Sequence, residues 1–420
     1  MPCRSRQLRI PFAACAVALL APLVHAQDAP PVPCSYSVLQ IQPPSCGIFS
    51  PNPLTPMHLN NHGHWVGHVT SCSLYDYLPL KWTPQTGLLA LPMPPGHPEG
   101  HARAINDSGL AVGYAGNLGI MWPPEGGYRL LPLGAGSGAM AVNNAGVIAG
   151  MMWVGNHWHG FVLDGDQVVD IDPADQGFGT IDVRDLSEVG HVAGFMWAAG
   201  FDRGFRWKDG EMEILQPLPG ALGCRAFAVN SQGVAVGDSR FYQADGVTHS
   251  HYLPTLWVGT EAVPLPLLSR YSEGGAIDIN DEGLILGYSA RPTVPGLPGN
   301  RQVLWPGGGA PHAIKPLIQM PQWGGFGLTY RINEGGQILA QGGTPPMPPW
   351  GQVYTGVWIL TPQFVPGDVT HDCVVDGADL AALLEAWGPV RLTPEPADLN
   401  GDGRVNGADL GILLAAWTGG

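Results

Sequence analysis

Along most of the chain, apolar and polar residues alternate over a few positions and then break at glycine or proline, and one short pattern keeps returning. It reads A-I-N-D-S-G-L-A-V-G at 104–113, A-V-N-N-A-G-V-I-A-G at 141–150, A-V-N-S-Q-G-V-A-V-G at 228–237 and I-D-I-N-D-E-G-L-I-L-G at 277–287. Three weaker copies complete the series. Residues 59–67 keep Asn60 and Gly63, residues 186–194 carry Ser187 in place of the Asn, and residues 332–340 keep Asn333 and Gly336 but end on Ala340. The first glycine of each copy falls at 63, 109, 146, 190, 233, 283 and 336, a period of about 45 residues, which is the size of a propeller blade.

Each copy predicts an apolar strand ending on Asn, a turn whose Asn and Gly tolerate left-handed φ, and a second apolar strand. A third strand follows with a tryptophan, at Trp82, Trp122, Trp207, Trp257, Trp305 and Trp358; the third copy offers Phe161 and Leu163 instead. A further apolar pair, such as Leu89 with Leu91 or Leu130 with Leu133, predicts a fourth strand. Four short strands make a small sheet whose faces only neighbouring sheets can bury, so the body is predicted to be all-β, a seven-bladed β-propeller over 27–361. Its last unit ends at Trp358-Ile359-Leu360 with no strand after it, whereas Tyr36, Val38 and Ile41 alternate ahead of the first unit. The N-terminal strand is therefore expected to complete the final blade, leaving the tail to project freely beyond a linker at 362–366.

Periodicity changes at the C-terminus. Leu380, Leu383, Leu384 and Trp387, and again Leu410, Leu413, Leu414 and Trp417, stand at i, i+3, i+4 and i+7, which predicts two short helices each with one apolar face. Each helix follows a loop crowded with oxygen-bearing side chains. In D-L-N-G-D-G-R-V-N-G-A-D, Asp398, Asn400, Asp402, the Arg404 carbonyl, Asn406 and Asp409 occupy positions 1, 3, 5, 7, 9 and 12 of a calcium-binding loop. Thirty residues earlier, Asp368, Thr370, Asp372, the Val374 carbonyl, Asp376 and Asp379 take the same places. Position 6 needs a positive φ, and Gly403 supplies it in the second loop while the first has Cys373; Thr370 is also a poorer ligand than Asn400. Two calcium sites are expected, the second the tighter.

The tail, 367–420, resembles a type I dockerin domain in its paired loop-helix units and in the Asp-Leu, at 379–380 and 409–410, that ends each loop and starts each helix. An ordinary EF-hand fits less well, because position 12 is Asp and no helix former precedes the loops. The resemblance implies calcium-dependent docking onto a cohesin-like partner, with Leu380, Leu383, Leu384, Leu410, Leu413 and Leu414 as candidate contact residues. The body is similar to the HAF family of extracellular repeats, whose Ile-Asn-x-x-Gly-x-x-x-Gly core is met at Ile105, Asn106, Gly109 and Gly113. That resemblance implies export and no particular activity.

The start of the chain points the same way. Arg4, Arg6 and Arg9, an apolar run from Phe12 to Leu23 and Val24-His25-Ala26 predict a signal peptide over 1–26, and nothing later offers a membrane span. Without those arginines, 16 basic residues face 34 acidic ones, a net charge near −18, a balance that repels nucleic acid and anionic membrane. Cys34 and Cys46 are close enough for a local disulfide, while Cys72, Cys224 and Cys373 are scattered.

Chemistry in the body is sparse: no G-x-S-x-G elbow, H-E-x-x-H helix, C-x-x-C pair or phosphate loop occurs. Asp107 and Asp281 share one repeat position and read as turn caps. His58, His62, His64 and His68, and His157 with His159, are the imidazoles near enough in sequence to be weighed as metal ligands, although the turn at Gly63 interrupts the first group. The recurrent tryptophans behave as packing positions, which leaves Trp65, Trp153, Trp158, Trp197, Trp323 and Trp350 as candidates for a carbohydrate or surface ligand. These features point to a secreted, non-catalytic binding or scaffold-associated protein. A polysaccharide-active enzyme and a structural envelope protein are the alternatives.

Overall fold

The computed structural model describes residues 29–418 apart from 43–44, 47–49, 52–53, 71–76, 172–178, 199, 243–248, 292–299, 319–324, 344–354 and 391–394. The expected signal peptide, Cys72, Trp323 and Trp350 lie outside the described residues. Seven four-stranded antiparallel sheets form a seven-bladed propeller. Blade 1 runs outward through Leu54–Leu59, Trp65–Thr70, Tyr77–Thr83 and Gly87–Ala90. Blades 2 to 6 repeat this order over 100–135, 137–170, 181–214, 223–264 and 273–313. Blade 7 takes Gly325–Ile332, Ile338–Gly343 and Thr355–Gln363 from the end of the body and Ser35–Ile41 from its beginning, Ser35 lying opposite Gln363 and Ile41 opposite Val357.

Burial follows the blade interfaces. Each of the seven apolar clusters of the body joins two adjacent blades, as where Ala104 and Val112 of blade 2 meet Ile148, Phe161 and Leu163 of blade 3. In blade 3 Leu163 stands opposite Ile148 in the register where Trp122 stands opposite Ala111, so Leu163 takes the tryptophan place, and Phe161, opposite Gly150, matches Phe205 of blade 4. The recurrent tryptophans also fasten neighbours: Trp122, Trp257 and Trp305 donate their indole N–H to the carbonyls of Pro92, Gln216 and Pro266, at 2.8, 2.7 and 2.6 Å, in the segment leaving the preceding blade.

The repeated Asn explains itself at the ring centre. Its Oδ1 accepts a backbone N–H of its own turn, as from Leu110 to Asn106 and from Leu284 to Asn280, at 3.0 and 2.8 Å. Its amide donates to the backbone carbonyl of the equivalent residue in the next blade: Asn60 to Asn106, Asn106 to Asn143, Asn143 to Ser187, Asn230 to Asn280, Asn280 to Asn333 and Asn333 back to Asn60. Only blade 4 lacks this bond, because Ser187 has no amide to give. There Asp185, two residues earlier, accepts the Val229 N–H of blade 5 at 3.0 Å.

Every innermost strand carries a β-bulge three residues before this position. The extra residues are Met57, Arg103, Met140, Arg184, Phe227, Ile277 and Tyr330, and all seven line one cavity on the central axis. A bulge re-aims the side chain it inserts. It also brings the strand's carbonyl over its partner: a methyl at Gly113 would overlap the His101 carbonyl oxygen, and the same holds for Gly150, Gly194, Gly237 and Gly287 of the repeat. In these blades the second glycine of the motif is thus a clearance for the bulge, whereas blade 7, with Ala340 there, shifts register a second time between Phe326 and Leu328.

Between bulge and Asn, the channel is closed by an ion triad. Arg331 of blade 7 reaches Asp278 of blade 6 at 3.1 Å and Asp185 of blade 4 at 3.4 Å, while Asp278 accepts the Ile332 N–H at 2.7 Å. Ala104, Ala141 and Ala228 stand at the same register in blades 2, 3 and 5 and leave the triad room. Burial lifts the Asp278 carboxyl to about 6 and the Asp185 carboxylate adds to the rise, against the lowering effect of Arg331.

Two expectations about the tail are corrected here. The last propeller strand runs through Gln363 and Val365 packs into the tail's own core, so 362–366 is not a free linker. Nor does the tail project freely, since Cys34 is bonded to Cys373 of the first calcium-type loop instead of to Cys46. Antiparallel pairing explains the choice: Cys34 donates its N–H to the Gln363 carbonyl at 3.0 Å, which carries it to the point where the chain enters the tail. Cys224 is buried and free.

Two stability predictions follow from the axis. Asn106→Ala removes an acceptor and a donor from buried partners and should cost about 2–3 kcal/mol in denaturant melts, whereas Asn106→Ser, the residue blade 4 uses, should cost less. Arg331→Leu strands two buried carboxylates and should cost about 3–5 kcal/mol near neutral pH. Arg331 is what holds the Asp278 pKa down to about 6, so in the Arg331→Leu chain that pKa rises further; the deficit should be full in alkaline buffer and shrink as pH falls toward about 6, where the parent carboxyl protonates too. Melting curves at both ends of the range check it.

Candidate functional site

The tail is built from two near-identical halves. Helix α1, Gly377–Glu385, and helix α2, Gly407–Ala415, are each capped by position 9 of the preceding loop: Asp376 accepts the Ala378 N–H and Asn406 the Ala408 N–H, both at 2.8 Å. Position 12 closes the capping box, with Asp379 accepting the Asp376 N–H and Asp409 the Asn406 N–H, at 2.9 and 2.8 Å. The same Asp-x-x-Asp and Asn-x-x-Asp spacing therefore starts a helix and shapes a loop.

Within the loops the correspondence continues. Position 1 turns the loop around itself: Asp368 accepts from Asp372 and Cys373 at 3.1 and 2.8 Å, and Asp398 from Asp402 and Gly403 at the same distances. Position 5 accepts from position 7, Asp372 from Val374 and Asp402 from Arg404, each at 2.9 Å. Position 12 spans the loop to position 3, where Asp379 accepts the Thr370 N–H at 2.9 Å and Asp409 the Asn400 N–H at 3.2 Å.

Asp379 and Asp409 are buried completely. Burial alone would raise the Asp379 pKa, but hydrogen bonds from the backbone of Asp376, Thr370 and Val369 and from the Thr370 hydroxyl outweigh it and hold the group ionised to lower pH. Carboxylate oxygens of Asp368, Asp372 and Asp379 converge to within 4.8 Å of one another, a separation that a single oxygen-seeking cation of radius suited to 2.3–2.6 Å contacts spans. The residues of the first loop thus fit a hard divalent cation.

The loops differ where their sequences do. Gly401 and Gly403 take φ of +71° and +81°; their counterparts His371 and Cys373 take +59° and +70° with a Cβ present. Cys373 is held there by the Cys34 bond and by its N–H to Asp368.

The two helices pack through Leu383 and Leu413 with Val369, Val375, Ala397 and Val405. Leu380 and Leu410 are partly covered, so the apolar stripe of each helix is only partly used in packing the two halves together. Leu383 and Leu413 are wholly inside, so neither can serve a partner as a contact; holding the halves together takes up their surface. Leu384, Trp387, Leu414 and Trp417 are exposed instead, at 52%, 49%, 53% and 39%.

The body holds a polar site that the repeat reading passed over. On one side of the Arg331 triad, the turns carry Asp107, Glu188, Asp281 and Glu334, whose carboxylates accept N–H groups across blade boundaries from Asn61, Asn144, Ser231 and Asp281. Asp107 and Asp281 thus cap turns of the adjacent blade. On the other side lies the bulge cavity, of about 260 Å³, with Arg103, Arg184 and Arg331 in its lining. A signal was present: Arg103 and Arg184 stand three residues before the repeat Asn, where other copies have Met, Phe, Ile or Tyr.

Among the other residues weighed from sequence, Trp65 is buried, whereas Trp153 and Trp197 are exposed and Trp158 is half-buried. Trp153 and Trp158 meet edge to face at 5.5 Å on the outer turn of blade 3. His58 faces the channel, its Nδ1 accepting the Ile105 N–H at 3.4 Å, and burial depresses its pKa to about 3. His68 meets His101 of blade 2, Nδ1 to Nδ1 at 3.1 Å. His62 and His64 have ring centroids 5.8 Å apart, and His157 and His159 4.4 Å. Among the described residues, these histidines do not assemble with a third ligand into a metal-binding group.

No curated protein matches this chain. Among solved structures it is similar to a streptogramin B lyase, at 12% identity and a TM-score of 0.46 over 78% of this chain and 98% of that one. It is also similar to virginiamycin B lyase from Staphylococcus aureus, at 11% identity and 0.43 over 78% and 99%. The β-propeller domain of the Trilobed protease from Pyrococcus furiosus gives 10% identity and 0.41 over 74% and 82%. At these scores the likeness carries no inference about activity. Residues 366–415 match the model of the type I dockerin domain, and with their duplicated loop-helix units they are a type I dockerin domain.

Proposed function

We propose that this chain is an exported, non-catalytic binding protein whose propeller presents a ligand surface and whose dockerin domain fixes it to a cohesin-bearing partner. The observation that carries the reading is the duplicated loop-helix unit, in which the carboxylates of position 12 are buried and ready-made for a cation while equivalent apolar pairs face outward. Type I dockerin domains bind calcium. In this chain Asp398, Asn400, Asp402, the Arg404 carbonyl, Asn406 and Asp409 would hold one ion, and Asp368, Thr370, Asp372, the Val374 carbonyl, Asp376 and Asp379 a second. The ion supplies charge neutralisation where acidic groups crowd. The second loop is the tighter site, because both of its left-handed positions are glycine.

Leu384 with Trp387 and Leu414 with Trp417 supply the cohesin-facing surface, an exposed apolar pair on each helix where a globular tail alone has no use for one. The leader-like segment at 1–26 and the Ile-Asn-x-x-Gly core shared with HAF-like extracellular repeats support export. The disulfide between Cys34 and Cys373 supports an oxidising compartment.

Calcium should raise the melting temperature of the full chain, and chelation should lower it. Calorimetric titration of the chelated protein should show two binding events; Asp398→Ala and Asp409→Ala should each abolish the tighter one and Asp368→Ala the weaker. No calcium response at millimolar ion would sink the reading. Binding to an immobilised type I cohesin should need calcium and should weaken at least tenfold in the doubly substituted Leu384→Ser, Leu414→Ser chain, with the calcium titration unchanged. Release of product from a polysaccharide by the purified protein would replace the non-catalytic reading with the enzymatic one.

A further inference from the structure

Seven bulged side chains meet in the axial cavity, and their chemistry is lopsided. Arg103 of blade 2 and Arg184 of blade 4 converge with Arg331 in a chain that has only 19 basic residues against 34 acidic ones. Arg331 is matched by two carboxylates. Arg184 has a single, long contact to Asp182 at 3.6 Å and lies against the rings of Phe227 and Phe195, 5.6 and 5.7 Å from their centroids. Among the described residues, Arg103 makes no hydrogen bond to a side chain and no ion pair. Burial depresses its pKa and the neighbouring Arg184 and Arg331 charges add to this, against the raising effect of Tyr114 and of the Asp182 carboxylate.

A mostly buried cation left without a partner costs stability, and the strand offers an easy way to avoid it. The equivalent bulge positions in blades 1 and 3 hold methionine, Met57 and Met140, in the same cavity. Two guanidiniums aimed at one space by the bulge geometry are a ready fork for an oxyanion. Met140 stands between the two arginine blades, Phe227 lies beside Arg184, and Ile277, Tyr330 and Met57 complete the lining, an apolar and aromatic surface suited to a ring's C–H face. The cavity volume of about 260 Å³ takes a group the size of one sugar ring.

We propose that this cavity is a binding site for a carboxylate-bearing sugar, a uronate unit of an acidic saccharide, whose carboxylate pairs with Arg103 and Arg184 while its ring lies against Tyr330 and Phe227. The inference deepens the reading of the body as a ligand surface and is independent of the tail. His68, His101, Tyr77 and Tyr114 stack on one another beside this end of the channel, with ring centroids 4.2 to 5.2 Å apart, and supply polar aromatic edges for a chain leading into it. Arg103 is a binding residue whose charge the Asp182 carboxylate offsets without an ion-pair contact and the bound anion would offset directly.

The test uses the full chain with calcium held constant. Sodium glucuronate and galacturonate, with glucose and sodium acetate as controls, are titrated by thermal shift and calorimetry at low salt. Uronates should raise the melting temperature by several degrees, and both controls should leave it unchanged. Arg103→Met should abolish the response and, without ligand, melt higher than the parent, because it removes an unpaired buried charge and copies the residue of blades 1 and 3. Arg184→Gln should weaken uronate binding at least tenfold. Stabilisation equal for acetate and uronate, no uronate response, or an Arg103→Met chain that melts lower than the parent and still binds would overturn the proposal. Loss of calcium binding or of cohesin capture would leave it standing, which separates its failure from that of the anchoring reading.

Discussion

The propeller depends on a hydrogen bond that crosses every blade boundary but one: the amide of a buried Asn reaching the backbone carbonyl of its counterpart in the next blade. One side chain satisfies its own turn with its oxygen and its neighbour with its nitrogen, so the turn and the blade-to-blade angle are set together. An Ala could do neither. Where the relay is missing, at Ser187, the carboxylate of Asp185 supplies a bond across the same boundary. It does so in a residue that also anchors Arg331. The weakest link of the relay and the charged plug of the channel are thus the same place, and the charge that burial makes costly is used for closure.

The bulge is the second half of the same device. Shifting the register by one residue before the Asn lets the strand present a side chain to the axis that regular alternation would have aimed elsewhere. The cost is a carbonyl thrust at the partner strand, met outside blade 7 by the second glycine of the motif. Blade packing itself uses only ordinary apolar contacts, so the seven bulged positions are free to vary in chemistry without loosening the ring. That freedom is visible: three are apolar aliphatic or thioether, two are aromatic and two are arginine.

How much of this the sequence disclosed follows from what repeats. Asn106, Gly109 and Gly113 recur with their spacing, so blade number, turn position and strand order were legible, as was the deviation at Leu163. The dockerin loops were legible because their ligands are fixed by position and duplicated. The channel was not, because its residues follow no single type from blade to blade; a variable position three before Asn looks like noise until a bulge is known to aim it inward. Helical spacing misled at Leu383 and Leu413, since i, i+3, i+4, i+7 marks an apolar stripe without saying how much of it a two-helix domain can cover. Local cysteine spacing misled in the same way: strand pairing between the two ends of the body brought Cys34 to a partner 339 residues away.

That long-range bond joins the two closures of the molecule. Ser35–Ile41 completes the ring and Cys373 lies at the sharpest turn of the first calcium-type loop, and the disulfide makes them one unit. A cross-link closing so long a loop removes much of the unfolded chain's freedom, with a contribution of roughly 6 kcal/mol on the chain-entropy view. It also changes what a non-glycine residue at φ +70° means. A Cβ there opposes the loop's turn, but the bond to Cys34 and the Cys373 N–H to Asp368 hold the turn from both sides. The first loop thus gives up glycine's freedom and gains a covalent tie to the propeller, whereas the second keeps glycine and relies on its own ligands. One half of the duplicated domain is thereby tied to the body, and the other is shaped by its own hydrogen bonds alone.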